Sequence, residues 1–203
     1  DNFLIEKNSF IFESVEKGKI KGRYTIFGKN PDKIWEFNNN NSYLIKNKKK
    51  IKLKDRPDQL IEKIIEDFKF ETPKKLPKIC SLISGYFSYD SIRYIEKIPN
   101  KCKNDLNLPD VRLLRPRTLV IYDNLKKEIF YIINIFSDEK IKDYAKKYEE
   151  IKIELSRILI QSSLKISNYL PKKNIKDIKV KSNTSKNKFI KMVNKAKNYI
   201  KLG

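Results

Sequence analysis

Short stretches in which apolar and polar residues alternate dominate the first quarter of the chain. They predict five β-strands, namely residues 10–13, 24–27, 34–37, 42–45 and 51–54. The charged segment 15–22, which contains Gly18 and Gly22, separates the first two strands as a turn. The sequence from Gly28 to Pro31 ends the second strand with residues typical of turns. The last two strands are expected to pair as a hairpin.

Apolar residues at helical spacing follow, and they predict a helix that buries one face. Asp55 is the expected N-cap, with Pro57 in the first turn. The residues expected on the buried face are Leu60, Ile61, Ile64, Ile65 and Phe68. Next, residues 79–85 form an apolar run between helix breakers, which predicts a buried strand, and residues 91–96 predict a short helix.

The second half of the chain continues with strand patterns and then helix patterns. Residues 118–122 and 128–136 predict two strands that form a hairpin. A long helix is expected after a cap at Ser137 or Asp138. Its apolar stripe consists of Ile141, Tyr144, Ala145, Tyr148, Ile151, Leu155, Ile158 and Leu159. A final amphipathic helix is predicted after the capping residues 182–185, and the residues expected on its apolar face are Phe189, Met192, Val193, Ala196 and Ile200.

These elements together predict an α/β fold of the α+β kind, in which mixed or antiparallel sheets pack against helices. With 203 residues, 39% of them hydrophobic, the chain is long enough to bury a core. We expect a first domain over residues 1–170, a basic and polar linker over 171–184, and the first helix of a further domain over 185–203. Because the chain starts at Asp1 rather than Met, it is interpreted as a piece of a longer protein.

The net charge of +21 permits two interpretations. A strongly basic chain is typical of proteins that bind nucleic acids. However, the basic residues are mostly lysines spread over every segment, and Lys, Asn and Ile together are what A- and T-rich codons encode. Since no recognition motif for nucleic acids is present, the sequence favours a bias of genome composition and predicts no nucleic-acid partner.

The residue types argue against several classes of chemistry. The chain contains no His, so it has no His-based acid–base pair, triad or metal site. Its five glycines are scattered and form no phosphate-binding loop. Cys80 and Cys102 lack the spacing of metal ligands, and two cysteines are too few for a disulfide scaffold, which fits a reducing cytoplasm. No apolar run reaches about 18 residues, so no membrane span is expected.

A series of short blocks resembles, in order along the chain, the N-terminal part of anthranilate synthase component I. The blocks are Ile11-Phe12-Glu13-Ser14, Arg23-Tyr24-Thr25, Gly28 to Pro31, the Gly-Tyr-x-x-Tyr-Asp run at 85–90, Glu96-Lys97-Ile98-Pro99, Ser182-Asn183-Thr184, Met192-Val193 and Ala196-Lys197-Asn198-Tyr199-Ile200. Ile11, Phe12 and Thr25 are conservative departures from the two leucines and the serine of the family. The last blocks imply that residues 185–203 begin the chorismate-binding catalytic domain.

The resemblance implies an activity for the complete protein. Anthranilate synthase is a lyase of tryptophan biosynthesis that makes anthranilate from chorismate. Its ammonia comes from glutamine and is supplied by an amidotransferase subunit, component II. The resemblance also implies a need for Mg²⁺, whose ligands, like the catalytic residues, would lie beyond Gly203. This fragment alone is therefore expected to be inactive, and a cytoplasmic location is expected.

The same resemblance assigns a feedback site to this part of the chain. In the family, the Glu-Ser strand helps to bind the tryptophan that shuts the enzyme down. Glu13 and Ser14 would therefore meet the amino or carboxylate group of the inhibitor L-tryptophan, and Arg23 would supply a positive charge nearby. From residue types alone, the favoured interpretation is that Glu13 and Ser14 merely mark a strand that leaves the core, and the ordered matches of the blocks make the tryptophan site an equal alternative.

Other interpretations stay open at this point. Aminodeoxychorismate synthase component I, of folate synthesis, shares the domain plan, and a freestanding basic binding module is an alternative from another class. Arg115 and Arg117 are expected to pair with Asp110 and Asp123, although they could bind an anion. The aromatic run at 85–90 is either a corner of the core, which we favour, or a surface for another domain or a partner.

Overall fold

The computed structural model describes residues 7–13, 22–100, 106–163 and 181–203. In these residues the chain forms seven β-strands, three α-helices and a 3₁₀ helix. The strands are β1 (Phe10–Phe12), β2 (Tyr24–Asn38), β3 (Asn41–Lys46), β4 (Lys49–Leu53), β5 (Ser84–Phe87), β6 (Val111–Asp123) and β7 (Glu128–Ile133). The helices are α1 (Pro57–Asp67), the 3₁₀ helix (Tyr89–Tyr94), α2 (Tyr144–Ser163) and α3 (Lys186–Leu202).

The described strands pair antiparallel in one sheet of order β4-β3-β2-β6-β5, with β1 also on β2 and β7 also on β6. The long strands β2 and β6 form its centre and pair from Tyr24 opposite Asp123 to Phe37 opposite Val111. β1 and β7 flank one end of this central pair, and β3, β4 and β5 flank the other. An antiparallel sheet combined with helices confirms the predicted fold class.

Two hydrophobic clusters form the core, one toward each end of the central strands. The first lies where α1 covers the sheet and consists of Trp35, Phe37, Leu60, Ile64, Tyr94, Val111 and Leu113. The second lies between β1 and β7 and consists of Cys80, Leu119, Ile121 and Ile132. Burial of each large apolar side chain stabilises the folded state by about 1.5–3 kcal/mol, so these clusters supply most of the hydrophobic contribution to stability.

A β-bulge at Asp32 interrupts the alternation along β2. Pro31 lies opposite Pro116, and the register with β6 then shifts by one residue, which leaves Asp32 as the extra residue. Even-numbered residues before the bulge and odd-numbered residues after it therefore face the same side of the sheet. The predicted turn over residues 28–31 is wrong, because β2 continues through it. Proline has no N–H to donate to a neighbouring strand, so a central strand rarely contains it where the pairing is regular. An irregularity such as this bulge accommodates it.

The start of α1 differs from the prediction by one residue. Its N-cap is Arg56 rather than Asp55, and no side chain caps the helix, while Pro57 occupies the first turn as predicted. Ile65, expected on the buried face, is 64% exposed. The helix therefore packs through a narrower stripe than its apolar residues suggest.

The predicted strand over residues 79–85 is wrong for most of its length, because β5 starts only at Ser84. The Cys80 N–H donates to the Pro77 carbonyl oxygen over 2.9 Å, which forms a turn before the strand. Cys80 is nevertheless buried, so the apolar run reflects burial and not extended backbone. The short helix predicted over residues 91–96 is present as the 3₁₀ helix, which starts two residues earlier.

The long helix α2 begins at Tyr144, so neither Ser137 nor Asp138 caps it. Its first turn is capped by Asp143, whose carboxylate accepts a hydrogen bond from the Lys146 N–H (3.0 Å). Asp138 is not free to cap a helix, because cations on the sheet bind its carboxylate. Four members of the predicted apolar stripe are exposed, namely Tyr144, Ala145, Tyr148 and Leu159.

The helix α3 follows Ser185, whose hydroxyl accepts a hydrogen bond from the Lys188 N–H (3.3 Å), as the capping pattern predicted. The five apolar residues predicted on one face of α3 are exposed, namely Phe189, Met192, Val193, Ala196 and Ile200. The chain divides into two compact units, Asp1–Lys165 and Ile166–Gly203. The predicted linker over residues 171–184 lies mostly outside the described residues, so the predicted domain boundaries stay predictions.

Candidate functional site

The candidate site lies at the end of the sheet where β1 ends and β2 begins. β1 runs antiparallel to the first part of β2. Glu13 comes directly after β1 and is exposed, whereas Ser14 lies outside the described residues. Continuing the pairing register past β1 places Glu13 at the same end of β2 as Arg23. The pairing register thus places the two described members of the predicted site at the same end of the sheet.

The position of β1 depends on a glycine of β2. Phe10 lies opposite Gly28, and a Cβ added at Gly28 would overlap the Phe10 ring, whose Cε2 lies only 3.1 Å from that Cβ position. The Phe12 ring packs beside it, with 4.9 Å between the ring centres. The sequence pattern placed Gly28 in a turn, but in the structure it is a packing residue. Its lack of a side chain leaves room for the Phe10 ring, so that β1 can pair with β2 and position Glu13.

Arg23 is held at the start of β2 by an ion pair with Asp123. The Arg23 Nη2 and Nε atoms donate to the Asp123 carboxylate over 2.7 and 3.1 Å. The guanidinium carbon also lies 4.8 Å from the centre of the Tyr24 ring. The Arg23 side chain is 34% exposed, whereas that of Asp123 is 2% exposed. Arg23 therefore presents a fixed, partly neutralised positive charge at the edge of the site.

The loop between β6 and β7 fixes the position of the Asp123 carboxylate. Its Oδ1 accepts hydrogen bonds from the backbone N–H groups of Leu125 (2.9 Å) and Lys126 (3.2 Å). The hydrogen bond from Arg23 and those from the two amides outweigh the effect of burial and hold the pKa of Asp123 at about 2. The Asp123 carboxylate is therefore charged at neutral pH, and the orientation of Arg23 is maintained.

A cluster of charges that the sequence analysis did not identify lies at the bulge of β2. Arg115 donates to Asp32 (2.8 Å) and to Asp138 (2.9 Å), and its guanidinium carbon lies 3.8 Å from the centre of the Phe136 ring. Lys33 also binds Asp138 (2.5 Å). Although burial raises the pKa of Asp138, the hydrogen bonds from Lys33 and Arg115 prevail and hold it at about 2.

The predicted pairing of Arg115 and Arg117 with Asp110 and Asp123 is wrong, although both arginines do have acidic partners. Arg117 binds Glu139 (2.9 Å), and Asp110 accepts a hydrogen bond from the Tyr94 hydroxyl. Since a strand rises about 3.4 Å per residue, Asp123 lies about 27 Å along β6 from Arg115, beyond the reach of the side chain. The true partners come from other elements, so no local spacing reveals them.

The aromatic run that spans the end of β5 and the start of the 3₁₀ helix lies at the surface. Tyr86, Phe87 and Tyr89 are 40%, 57% and 88% exposed. The favoured prediction of an aromatic corner of the core is therefore wrong for these three residues. Tyr94, at the end of the 3₁₀ helix, is the tyrosine of this region that joins the core.

The groups at the candidate site suit binding rather than catalysis. Glu13 and Arg23 offer opposite charges, which match the ammonium and carboxylate groups of a zwitterion. Ile11, which is two residues before Glu13 and so shares its side of the strand, is 48% exposed and offers apolar surface. In the described part of the chain, no group of three or more His, Cys, Asp or Glu side chains is placed to hold a metal ion. None of the helices described is long and apolar enough to cross a membrane.

Comparisons with known proteins place this fold among chorismate-utilising enzymes. The family described as chorismate binding enzyme matches residues 7–203. Anthranilate synthase component 1 of Acetivibrio thermocellus is 33% identical over 201 residues, which cover 96% of this chain and 40% of that protein. The protein of the same name from Acinetobacter calcoaceticus is 28% identical, covering 96% of this chain and 39% of that protein. This chain thus spans about two fifths of the length of these relatives.

A solved structure has a similar fold. The crystal structure of anthranilate synthase component I from Streptococcus pneumoniae TIGR4 superposes with a TM-score of 0.57 and 21% sequence identity. The similarity covers 81% of this chain and 34% of that chain. It therefore extends over most of the residues that form the sheet and its helices.

Proposed function

Because the chain belongs to the family of chorismate binding enzymes, we propose that it is the N-terminal part of an anthranilate synthase component I. The observation that carries this proposal is the 33% identity to the Acetivibrio thermocellus protein over 96% of this chain. The complete enzyme, a lyase of tryptophan biosynthesis, would make anthranilate from chorismate with ammonia derived from glutamine. The chain alone would be inactive, and α3 would be the first helix of the catalytic domain.

The proposal includes the partners of the complete enzyme. An amidotransferase subunit, component II, would supply the ammonia, and Mg²⁺ would be bound by ligands outside this chain. No nucleic acid or membrane takes part, and the enzyme would act in the cytoplasm. The wide spread of lysines along the sequence supports the exclusion of nucleic acid, because a recognition surface concentrates its positive charge.

Within this part of the enzyme, we propose that Glu13, Ser14 and Arg23 bind L-tryptophan as a feedback inhibitor. The exposed Glu13 carboxylate would meet the ammonium group, and the Ser14 hydroxyl and the Arg23 guanidinium would meet the carboxylate. The exposed part of Arg23 and the fixed position of Asp123 support this assignment. Bound tryptophan would stabilise a domain arrangement of low activity, for which a coupling free energy of about 1–3 kcal/mol suffices.

Product analysis tests the proposed activity. The complete protein that contains this chain would be incubated with chorismate, Mg²⁺ and ammonium salt, and the product identified by chromatography and fluorescence. Anthranilate is the expected product, and the 203-residue chain alone should form none. Formation of aminodeoxychorismate would assign the chain to the enzyme of folate synthesis instead. If chorismate is not consumed, even with component II and glutamine present, the proposed activity is wrong.

A further inference from the structure

Arg23 uses only one edge of its guanidinium in the ion pair with Asp123. Nε donates to the two carboxylate oxygens over 3.2 and 3.1 Å, and Nη2 donates to Oδ2 over 2.7 Å. A guanidinium is a planar fork of five N–H groups, and this pairing uses one N–H of Nε and one of Nη2. The edge formed by Nη1 and the second N–H of Nη2, here called the outer edge, takes no part in the ion pair and carries two parallel N–H groups.

Two further contacts hold Arg23 in place. The Asn124 N–H donates to the Arg23 carbonyl oxygen over 2.7 Å, which ties the backbone of Arg23 to the loop between β6 and β7. The guanidinium carbon lies over the Tyr24 ring, 4.8 Å from its centre. Since Asp123 is almost fully buried and Arg23 is one-third exposed, the ion pair presents a cation to solvent and not a carboxylate.

We infer that the outer edge of Arg23 binds the carboxylate of the amino-acid inhibitor through two parallel hydrogen bonds, and that Asp123 is a positioning residue that holds this edge toward the ligand. The inference rests on the proposed feedback site. Bidentate binding of a carboxylate by a guanidinium is stronger and more directional than a contact with a single charge. A side chain that is fixed beforehand also loses little conformational entropy when the ligand binds. The site should therefore select ligands that carry a carboxylate, and lysine should not replace Arg23.

Charge-preserving substitutions separate this geometry from the effect of charge alone. In the complete protein that contains this chain, isothermal titration calorimetry would measure the Kd of L-tryptophan and of L-tryptophanol, in which a neutral CH₂OH group replaces the carboxylate. The original protein should bind tryptophanol at least about tenfold more weakly. Arg23→Lys keeps the charge but lacks the second edge, so it should raise the Kd of tryptophan about tenfold and that of tryptophanol by less than about threefold.

Asp123→Glu tests the positioning role. It keeps the negative charge and displaces the paired guanidinium by about 1.5 Å, the length of one C–C bond. The Kd of tryptophan should rise by about threefold to tenfold, and that of tryptophanol by less, whereas a merely structural role would weaken both ligands alike. Arg117→Lys is the control, because it makes the same substitution in the ion pair with Glu139, about 20 Å along β6 from Asp123. Both Kd values should stay unchanged in this control.

The outcomes distinguish this inference from the feedback site on which it rests. If the original protein does not bind tryptophan, or if Arg23→Gln binds it as tightly as the original, the feedback site is wrong and the inference is wrong with it. If Arg23→Gln weakens binding but Arg23→Lys does not, the feedback site stands and bidentate binding is wrong. If Asp123→Glu weakens tryptophan and tryptophanol equally, Asp123 does not position Arg23 for the carboxylate. Arg23→Lys alters a partly exposed side chain, so it remains informative if Asp123→Glu fails to fold.

Discussion

The ring of Phe10 on β1 occupies the space in which any residue other than glycine would place its Cβ at position 28 of β2. Gly85 on β5 is also closely packed, but there the obstacle is the backbone of β6, with the Leu113 Cα 2.9 Å from the added Cβ. A ring at the end of a side chain can rotate away, whereas a backbone paired in the middle of a sheet cannot.

The two glycines should therefore differ in their tolerance of alanine. We expect Gly28→Ala to lower the free energy of unfolding by about 1–2 kcal/mol, and Gly85→Ala to lower it by more than about 3 kcal/mol. Urea unfolding of each variant, followed by Trp35 fluorescence, measures both losses, and each glycine serves as the control for the other. Equal losses, or a larger loss in Gly28→Ala, would contradict this account of the packing.

The ion pair between Arg23 and Asp123 should make stability depend on pH in the acid range. Because the pKa of Asp123 is lowered to about 2, its stabilisation is present above its ordinary pKa and is lost as the pH falls from about 4 to about 2. Asp123→Asn should cost about 1–3 kcal/mol at neutral pH, and this cost should shrink toward pH 2. Urea unfolding across this pH range measures the difference.

A matched substitution separates this effect from general acid denaturation. Glu62→Gln removes an exposed carboxylate from α1 and should leave the free energy of unfolding within about 0.5 kcal/mol of the original at every pH. A difference between the Asp123→Asn variant and the original chain that stays constant with pH would mean that Asp123 contributes no charge-dependent stability.

The strand pattern predicted much of the sheet, and its main error has a physical cause. The hairpin of β3 and β4 and the pairing of β6 with β7 follow directly from period-two alternation and are confirmed. β2 was predicted as two strands because the extra residue Asp32 reverses its alternation, and because Pro31 usually ends a strand. A bulge is defined by the partner strand, and a single sequence does not show that partner.

The charged residues were harder to predict than the strands. Asp32 is 83 residues and Asp138 is 23 residues from Arg115, so sequence spacing could not show that they meet. The start of α2 was misplaced for the same reason, since Asp138 binds cations of the sheet and does not cap the helix. Glu13 and Arg23, in contrast, came from two short blocks that resemble the family, and antiparallel pairing of β1 with β2 places both residues at one end of the sheet.

The proposed feedback site makes a prediction about inhibition. In the complete enzyme, Ser14→Ala should raise the tryptophan concentration for half-inhibition by about tenfold, because one hydrogen bond to a charged group of the inhibitor is lost. The rate of anthranilate formation without tryptophan should change by less than about twofold, since the substituted residue would not touch chorismate. Initial rates over a tryptophan series measure both quantities.

Ser156→Ala, an exposed serine on α2, is a suitable control for that experiment and should leave inhibition unchanged. If Ser14→Ala is inhibited by tryptophan as strongly as the original enzyme, the assignment of Ser14 is wrong. Loss of both activity and inhibition would instead indicate that the substitution disturbs folding, and the milder Ser14→Thr would then be compared with the original enzyme.

The charged cluster at the bulge should show strong coupling between Asp32 and Arg115, whose side chains are only 8% and 10% exposed. Arg115→Gln leaves two carboxylates without their shared cation and should cost about 3–5 kcal/mol. Asp32→Asn should cost less, about 1–3 kcal/mol, because Arg115 keeps Asp138 as a partner. Once Arg115 is absent, replacing Asp32 removes a buried unpaired charge, so the double variant should lose less stability than the two single losses added together.

A double-mutant cycle measured by urea unfolding gives this coupling energy, which we expect to exceed about 1 kcal/mol. The pair of Glu149 and Lys152 on α2 is the matched control, because its side chains are 60% and 63% exposed. Its coupling should stay below about 0.5 kcal/mol, since water and salt screen exposed charges. If the losses of Asp32→Asn and Arg115→Gln simply add, the charged cluster does not stabilise the bulge as a unit. The position of the bulge in β2 would then depend on Pro31 and Pro116 instead.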